Sequence, residues 1–300
     1  MAINLINYTN EMRFTKDYDR VHNFLVRINQ NQVITPNFLW GRWEWMFSLP
    51  FLDERYLDRI GLWENDGEIV ALATYESKIG EAYVCIDPTY SHLKKSVFEY
   101  AANHLQHEGS LKMLIANSDR TMQRIAGKNG FRPTQNKECV AMIDITANLS
   151  YNLPAGFRVT SLADDFDLKK LNSVLWKGFN HGDTPSETEQ DLLERKISCS
   201  GPHLRRELNI AVVAPSGEFV SYCGMWYLPG SDYAYVEPVA TVPAYRKMGL
   251  GKAAVLEAVK RCGQLGAKKA FVGSSQQFYY NIGFYPIRTE TWWARISQSE

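Results

Sequence analysis

Val242-Pro-Ala-Tyr-Arg-Lys-Met-Gly-Leu-Gly-Lys-Ala-Ala254 decides the fold of this chain. Before it, Tyr233-Ala-Tyr-Val-Glu-Pro-Val-Ala-Thr-Val242 is aromatic and β-branched, which predicts a strand; after it, Ala253, Leu256, Val259 and Cys262 recur at helical spacing. Gly249 and Gly251 therefore sit where strand becomes helix. Without Cβ atoms they let backbone N–H groups approach an anion, and the unpaired N-terminal donors and positive dipole end of the helix favour a phosphate there. A diphosphate is the guest this shape expects. Tight strand-to-helix packing without a ligand is the alternative for a lone Gly-x-Gly. Two nucleotide readings fail: no Gly-Lys-Ser/Thr follows, and no third glycine completes Gly-x-Gly-x-x-Gly with a strand-end acid beyond it.

The six residues Arg246-Lys-Met-Gly-Leu-Gly251 match the Q/R-x-x-G-x-G/A signature of the GNAT superfamily of N-acetyltransferases, with Pro-x-Tyr just before them. Downstream, Lys269-Ala-Phe-Val272 resembles the family's next strand, and Phe278-Tyr-Tyr-Asn-Ile-Gly-Phe284 resembles its Leu-Tyr-Glu-Lys-Leu-Gly-Phe helix end, in family order. The resemblance implies an acetyl-CoA site: the strand before the loop splays from its neighbour, pantetheine lies in the gap, and loop amides hold the pyrophosphate. That role falls on Val239, Ala240 and Thr241 of the strand and on Arg246, Lys247, Met248, Gly249, Leu250, Gly251 and Lys252 of the loop. It also implies that Tyr279 protonates the departing CoA thiolate, with Tyr280 in its place if the register slips by one. A backbone N–H near Val239 to Thr241 would hold the thioester carbonyl. Core packing is the alternative for Tyr279. The family's asparagine after the fifth strand is missing from Val272-Gly-Ser-Ser-Gln276, where Ser274 or Ser275 is the candidate helix cap.

Comparing the two halves reveals a repeat. Asn65-Asp-Gly-Glu-Ile-Val70 echoes Pro215-Ser-Gly-Glu-Phe-Val220, Pro88-Thr-Tyr90 echoes Pro243-Ala-Tyr245, and Asn129-Gly-Phe131 echoes Ile282-Gly-Phe284, each roughly 150 residues apart. Met12-Arg-Phe-Thr15 echoes Phe157-Arg-Val-Thr160 as a short strand leading into a helix. The fold expected is α/β, with an α+β mixed sheet in each of two tandem GNAT-like acyl-CoA N-acyltransferase domains: residues 1–150 and residues 151–300. A linker is expected at Asn148-Leu-Ser-Tyr-Asn-Leu-Pro-Ala-Gly156. In the first copy Ser91, Lys94 and Ser96 replace Arg246, Gly249 and Gly251, and Ala126 replaces Tyr279. Side chains there crowd the close backbone approach, so no acetyl-CoA site is expected in it; its expected role is to wall the other copy's substrate site.

Composition narrows the partners. The chain has 300 residues, 45% hydrophobic and 13% aromatic, enough for two cores, and its 33 basic and 33 acidic residues cancel without a long like-charge run. Neither nucleic acid nor membrane is expected as a partner; a small amine or a peptide is. Met-Ala-Ile-Asn-Leu-Ile-Asn-Tyr lacks the charged region and apolar run of a secretion signal, so a cytoplasmic location is expected. Cys85, Cys139, Cys199, Cys223 and Cys262 are scattered in apolar contexts and read as reduced core thiols. His104 and His107 lie three apart with no Cys or acidic pair nearby to complete a metal shell, and no metal is implied.

Acyl transfer to an amine needs a base, because an alkyl ammonium near pKa ~10 cannot attack until it loses a proton. Glu237, a carboxylate inside an otherwise apolar strand, is the candidate; an ion pair or an edge-facing acid is its alternative. The acceptor loop is expected in Trp176-Lys-Gly-Phe-Asn-His-Gly-Asp-Thr-Pro-Ser186, where His181 and Asp183 either touch the amine or are solvated. In Leu39-Trp-Gly-Arg-Trp-Glu-Trp-Met-Phe47, Trp40 and Trp43 share a helical face, favouring core packing over a cleft wall. The functional reading is an acetyl-CoA-dependent N-acetyltransferase; the alternative from another class is an acyl-CoA-binding regulatory module without turnover.

Overall fold

The computed structural model describes residues 3–9, 11, 13–30, 33–146 and 149–295. In chain order its first elements are β1 (Asn4–Asn7), α1 (Lys16–Asn29), α2 (Trp40–Ser48), β2 (Gly61–Asn65), β3 (Glu68–Thr74), β4 (Glu81–Ile86), α3 (Lys94–His104), β5 (Leu111–Ala116), α4 (Arg120–Lys128) and β6 (Arg132–Asp144). The same succession then runs again as β7 (Arg158–Ser161), α5 (Leu168–Gly178), α6 (Glu189–Ile197), β8 (Ile210–Val213), β9 (Phe219–Tyr227), β10 (Tyr233–Thr241), α7 (Leu250–Gln264), β11 (Lys269–Gly273), α8 (Gln277–Asn281) and β12 (Tyr285–Arg295).

The chain divides into two compact units, one of residues Met1–Val140 with Ile287–Glu300 and one of Ala141–Pro286. The division therefore falls about ten residues before the 150/151 boundary expected from sequence, and the last strand departs from it altogether. β6 begins in the first unit and ends in the second; β12 begins in the second and ends in the first. Of the expected linker, Asn148 lies outside the described residues.

The first unit orders its strands β1-β2-β3-β4-β5-β12-β6. Asp66 and Gly67, both at positive φ (51° and 82°), make the two-residue turn between β2 and β3 that their identities call for. β12 enters antiparallel to β5, from Glu290 opposite Ala116 to Arg295 opposite Leu111. Its Glu290 is fully buried, accepts the Asn37 N–H at 2.8 Å and faces the Arg288 guanidinium at 2.8 Å, while burial pushes its carboxyl above the ordinary range. Arg288 also donates to the carbonyls of Val33 and Thr35. Trp40 and Trp43 are buried within this unit, as core packing predicts; Trp43 lies against Tyr8, Tyr18, Phe38 and Phe47, and its indole N–H donates to the Tyr18 carbonyl.

The second unit orders β7-β8-β9-β10-β11, followed by Ala141–Asp144 of β6. Strand alternation sorts its core into two layers. Ile210 and Val212 of β8 face the α7 side with Leu250, Ala254 and Val255, whereas Ala211 and Val213 face Leu171, Val174 and Leu175 of α5. Each of the valine, leucine and isoleucine side chains contributes about 1.5–3 kcal/mol by burial, which is what clamps α5 and α7 to opposite faces. Side-chain caps start the outer helices: Asp167 accepts from the N–H groups of Lys169 and Lys170 at α5, and Thr188 forms a capping box with Asp191 at α6.

The repeat is legible at three of its four marks. The glycine turn before β3 and β9, the short proline-led turn before α3 and α7, and the Gly-Phe exit from α4 and α8 recur in register. The fourth mark is misplaced: the counterpart of β7 is β1, not Met12–Thr15, where Thr15 caps α1 and Met12 lies outside the described residues. All five cysteines are buried free thiols. No described helix is long and apolar enough to cross a membrane.

Candidate functional site

In the second unit β10 leaves its neighbour. Its parallel register with β11 ends at Tyr235 opposite Phe271, while its antiparallel register with β9 continues to Thr241 opposite Ser221. A bulge marks the divergence: Glu237 and Pro238 together face the single residue Gly224 of β9. Gly224 must be glycine here, because a Cβ would stand 2.4 Å from the Glu237 carbonyl oxygen. That isolated glycine in an apolar strand was the sequence signal for the bulge, and it was missed. Beyond the bulge, Val242 donates its N–H to Val220 of β9, so strand alternation turns Ala240 toward β9 and the N–H groups of Val239 and Thr241 away from it, into the gap.

The turn from β10 into α7 is built on two left-handed residues, Lys247 (φ 62°) and Gly249 (φ 82°, ψ 0°). Gly249 is the helix's N-terminal flank; its carbonyl accepts the first helical bond from Ala253, and no side chain caps the end. The N–H groups of the first turn are thus left for a ligand. Gly251 serves closeness instead: a Cβ there would lie 3.0 Å from Thr241 Oγ1 and 3.3 Å from the Phe278 ring.

Gap and turn open into one cavity of about 700 Å³ in which Val239, Ala240 and Thr241 meet Arg246, Lys247, Gly249, Leu250, Gly251 and Lys252. Three cations and no carboxylate line it, which suits a polyanion. Tyr279 forms part of its wall, whereas Tyr280 does not. The Tyr279 ring packs edge-on against Phe278 and Phe284 and is 7% exposed. Burial, with the electrostatics of Cys223 and Glu237 behind it, holds its hydroxyl well above the ordinary tyrosine range, so it stays protonated at neutral pH.

Two of the expected residues do not line the cavity. Met248 points outward, 39% exposed. Glu237 sits on the bulge, half-buried, with its carbonyl accepting the Trp226 indole N–H at 3.0 Å; its carboxylate is near enough to act on Tyr279 electrostatically. Gly178, Phe179 and Asn180, from the stretch expected to form the acceptor loop, lie in the cavity wall, as does Asn281 of α8, which sequence reasoning did not single out. Neither Ser274 nor Ser275 caps α8; Ser274 Oγ accepts the Gln276 N–H instead. His181 lies outside the wall, exposed, with its ring against Trp176 and Phe179, and Asp183 is exposed as well.

The first unit keeps the splay without the cradle. Its β4 and β5 pair only at Glu81–Lys112 and Ala82–Met113, and the gap beyond holds a chamber of about 240 Å³. Lys94, where the second copy has Gly249, adopts right-handed backbone (φ −48°) and pairs with Asp119 at 2.6 Å, both lining the chamber. Asp87 lines the same chamber and pairs with the Arg27 guanidinium at 2.8 Å.

Residues 168–286 match the model of the acetyltransferase (GNAT) family. No curated protein sequence matches the chain at a significant level. Among solved structures, a tandem GNAT protein from the clavulanic acid biosynthesis pathway is similar over 100% of both chains, with a TM-score of 0.64 at 13% identity. A GCN5-related N-acetyltransferase from Sphaerobacter thermophilus is similar over 98% of this chain and 95% of its own, with a TM-score of 0.59 at 16% identity. The N-myristoyltransferase of Saccharomyces cerevisiae, solved with myristoyl-CoA, is similar over 97% and 79%, with a TM-score of 0.56 at 10% identity. The fold is that of tandem GNAT proteins.

Proposed function

We propose, from the premise that residues 168–286 form a GNAT acetyltransferase domain, that this protein is an acetyl-CoA-dependent N-acetyltransferase. It moves the acetyl group directly to a primary amine of a small molecule or peptide in a ternary complex. The fold supports acyl transfer, and one observation supports a CoA thioester as the donor. Strand amides, a glycine turn at a helix N-terminus, Lys247, Lys252 and a protonated tyrosine line a single cavity of about 700 Å³.

The residues fit the group. The first-turn N–H groups of α7, with Lys247 and Lys252, would hold a diphosphate, and the outward N–H groups of Val239 and Thr241 would pair with the amides of a pantetheine arm or hold the acyl carbonyl oxygen. Acetyl-CoA, when bound, supplies an activated thioester. Glu237, on the bulge outside the cavity wall, takes a proton from the incoming ammonium through water, so that the nitrogen lone pair forms the C–N bond as the C–S bond breaks. Tyr279 gives its hydroxyl proton to the departing sulfur and regains one from the second proton that the acylated nitrogen releases; its raised pKa keeps that proton available.

Isothermal titration with acetyl-CoA tests the cofactor, and release of free CoA thiol over a panel of amines tests the transfer. The expected result is one equivalent bound per chain and faster thiol release with at least one amine. Binding without any amine-dependent release would make the chain an acyl-CoA-binding module, and no binding would refute the cofactor assignment.

A further inference from the structure

Arg246 opens the glycine turn, and a phosphate-binding arginine would present its guanidinium to the cavity. Here the guanidinium is engaged by three oxygens of the protein. Nε donates to the Thr241 carbonyl at 3.1 Å, and Nη2 donates both to the Gly178 carbonyl at 2.9 Å and to Asn180 Oδ1 at 3.0 Å. Thr241 ends β10 and Gly178 ends α5, so one side chain joins the start of the cradle to the end of the first helix of this unit.

Two further observations show that the junction is built for closeness. A Cβ on Gly178 would lie 2.7 Å from the Ala240 Cβ and 3.1 Å from the Thr241 nitrogen, so only glycine lets α5 end against the strand. Asn180, which receives the guanidinium, is itself left-handed (φ 63°), a conformation that asparagine adopts more readily than most residues, and its side chain bonds Arg246. The loop that leaves this point carries Phe179, 47% exposed, at the cavity wall.

We infer that Arg246 is a positioning residue, not a phosphate ligand: it transmits the order of the occupied glycine turn to the loop following α5. The inference rests on reading the cavity as the acyl-CoA site. A diphosphate on the N–H groups of Gly249 to Lys252 fixes the turn; Arg246 directly precedes its left-handed Lys247, with its own N–H on the Pro243 carbonyl, and its planar fork carries the constraint to Gly178 and Asn180. The acceptor side of the site would then be completed only after the acyl donor is in place. A lysine could satisfy one of the three oxygens but not all, because its ammonium is a point donor.

Hydrogen exchange of the full chain, with and without saturating acetyl-CoA, tests this. In the wild type, acetyl-CoA should slow exchange both in residues 248–254 and in residues 176–184. In Arg246→Ala the protection of 248–254 should persist, with acetyl-CoA affinity changed less than about threefold, while the acetyl-CoA-dependent protection of 176–184 disappears; Arg246→Lys should restore part of it. A merely structural arginine would change the basal exchange of the loop without abolishing its response to acetyl-CoA. Unchanged loop protection in Arg246→Ala refutes the coupling, and an affinity loss beyond about thirtyfold makes Arg246 a phosphate ligand after all. Absence of acetyl-CoA binding by the wild type would fail the cavity reading itself, an outcome distinct from either.

Discussion

Replacing Gly251 by valine should separate binding from folding. The Cβ alone would stand 3.0 Å from Thr241 Oγ1, which is held by Ser221 Oγ at 2.9 Å, and 3.3 Å from the Phe278 ring. The two Cγ atoms would then project between the strand and α8, into the space where a diphosphate must meet the first-turn amides. Overpacking of this kind costs about 1–3 kcal/mol, a melting shift of a few degrees for a unit of this size. Loss of two hydrogen bonds from N–H groups to a charged phosphate costs about 1.5–3 kcal/mol each. Together they predict a rise in the acetyl-CoA dissociation constant of about 10²- to 10⁴-fold. Titration calorimetry beside thermal melts reads both quantities, and Gly251→Ala gives a milder variant should valine unfold the chain. A valine variant that melts within a few degrees of wild type and binds acetyl-CoA within tenfold of it would refute the cradle.

Tyr279→Phe should leave acetyl-CoA affinity unchanged and slow amine-dependent thiol release by about 10²-fold, since only the proton donor is lost; undiminished turnover would pass the role to another group or to water. Because the Tyr279 pKa is raised, its acid form persists as pH climbs past the ordinary value of 10.0, so a rate profile that fell on deprotonation of a tyrosine near or below that pH would contradict the assignment. In the first unit, the double change Lys94→Gly with Ser96→Gly should still give one acetyl-CoA per chain. Removing Lys94 takes from Asp119 its cation and leaves that carboxylate in the chamber lining to repel a diphosphate, and a calorimetric stoichiometry of two would overturn that reasoning.

How the sequence fared follows from what kind of interaction each feature needs. The glycine turn was readable because left-handed backbone at Gly249 and close packing at Gly251 are demands on single residues, met only by glycine. The repeat was readable where its marks are turns, as at Gly67 and Gly217, and misread at Met12–Thr15, where no turn residue fixes the strand. Glu237 could be singled out as an acid in an apolar strand, but not its place on a bulge, which depends on Gly224 of the adjacent strand. Choosing between Tyr279 and Tyr280 took the helix's rotation about its axis, and that is set by packing against Phe284 and its neighbours.

By itself, then, the sequence determined the local grammar: strand, left-handed turn, helix, and a second copy of that succession whose turn carries Lys94 instead of glycine. Tertiary structure alone decided the divergence of β10 from β11, the crossing of β6 and β12 between units, and the engagement of Arg246 with Gly178 and Asn180. The first group is written in φ/ψ preference and periodicity, which act within a few residues. The second depends on which backbone groups find partners after distant strands meet, and no window of sequence contains both partners.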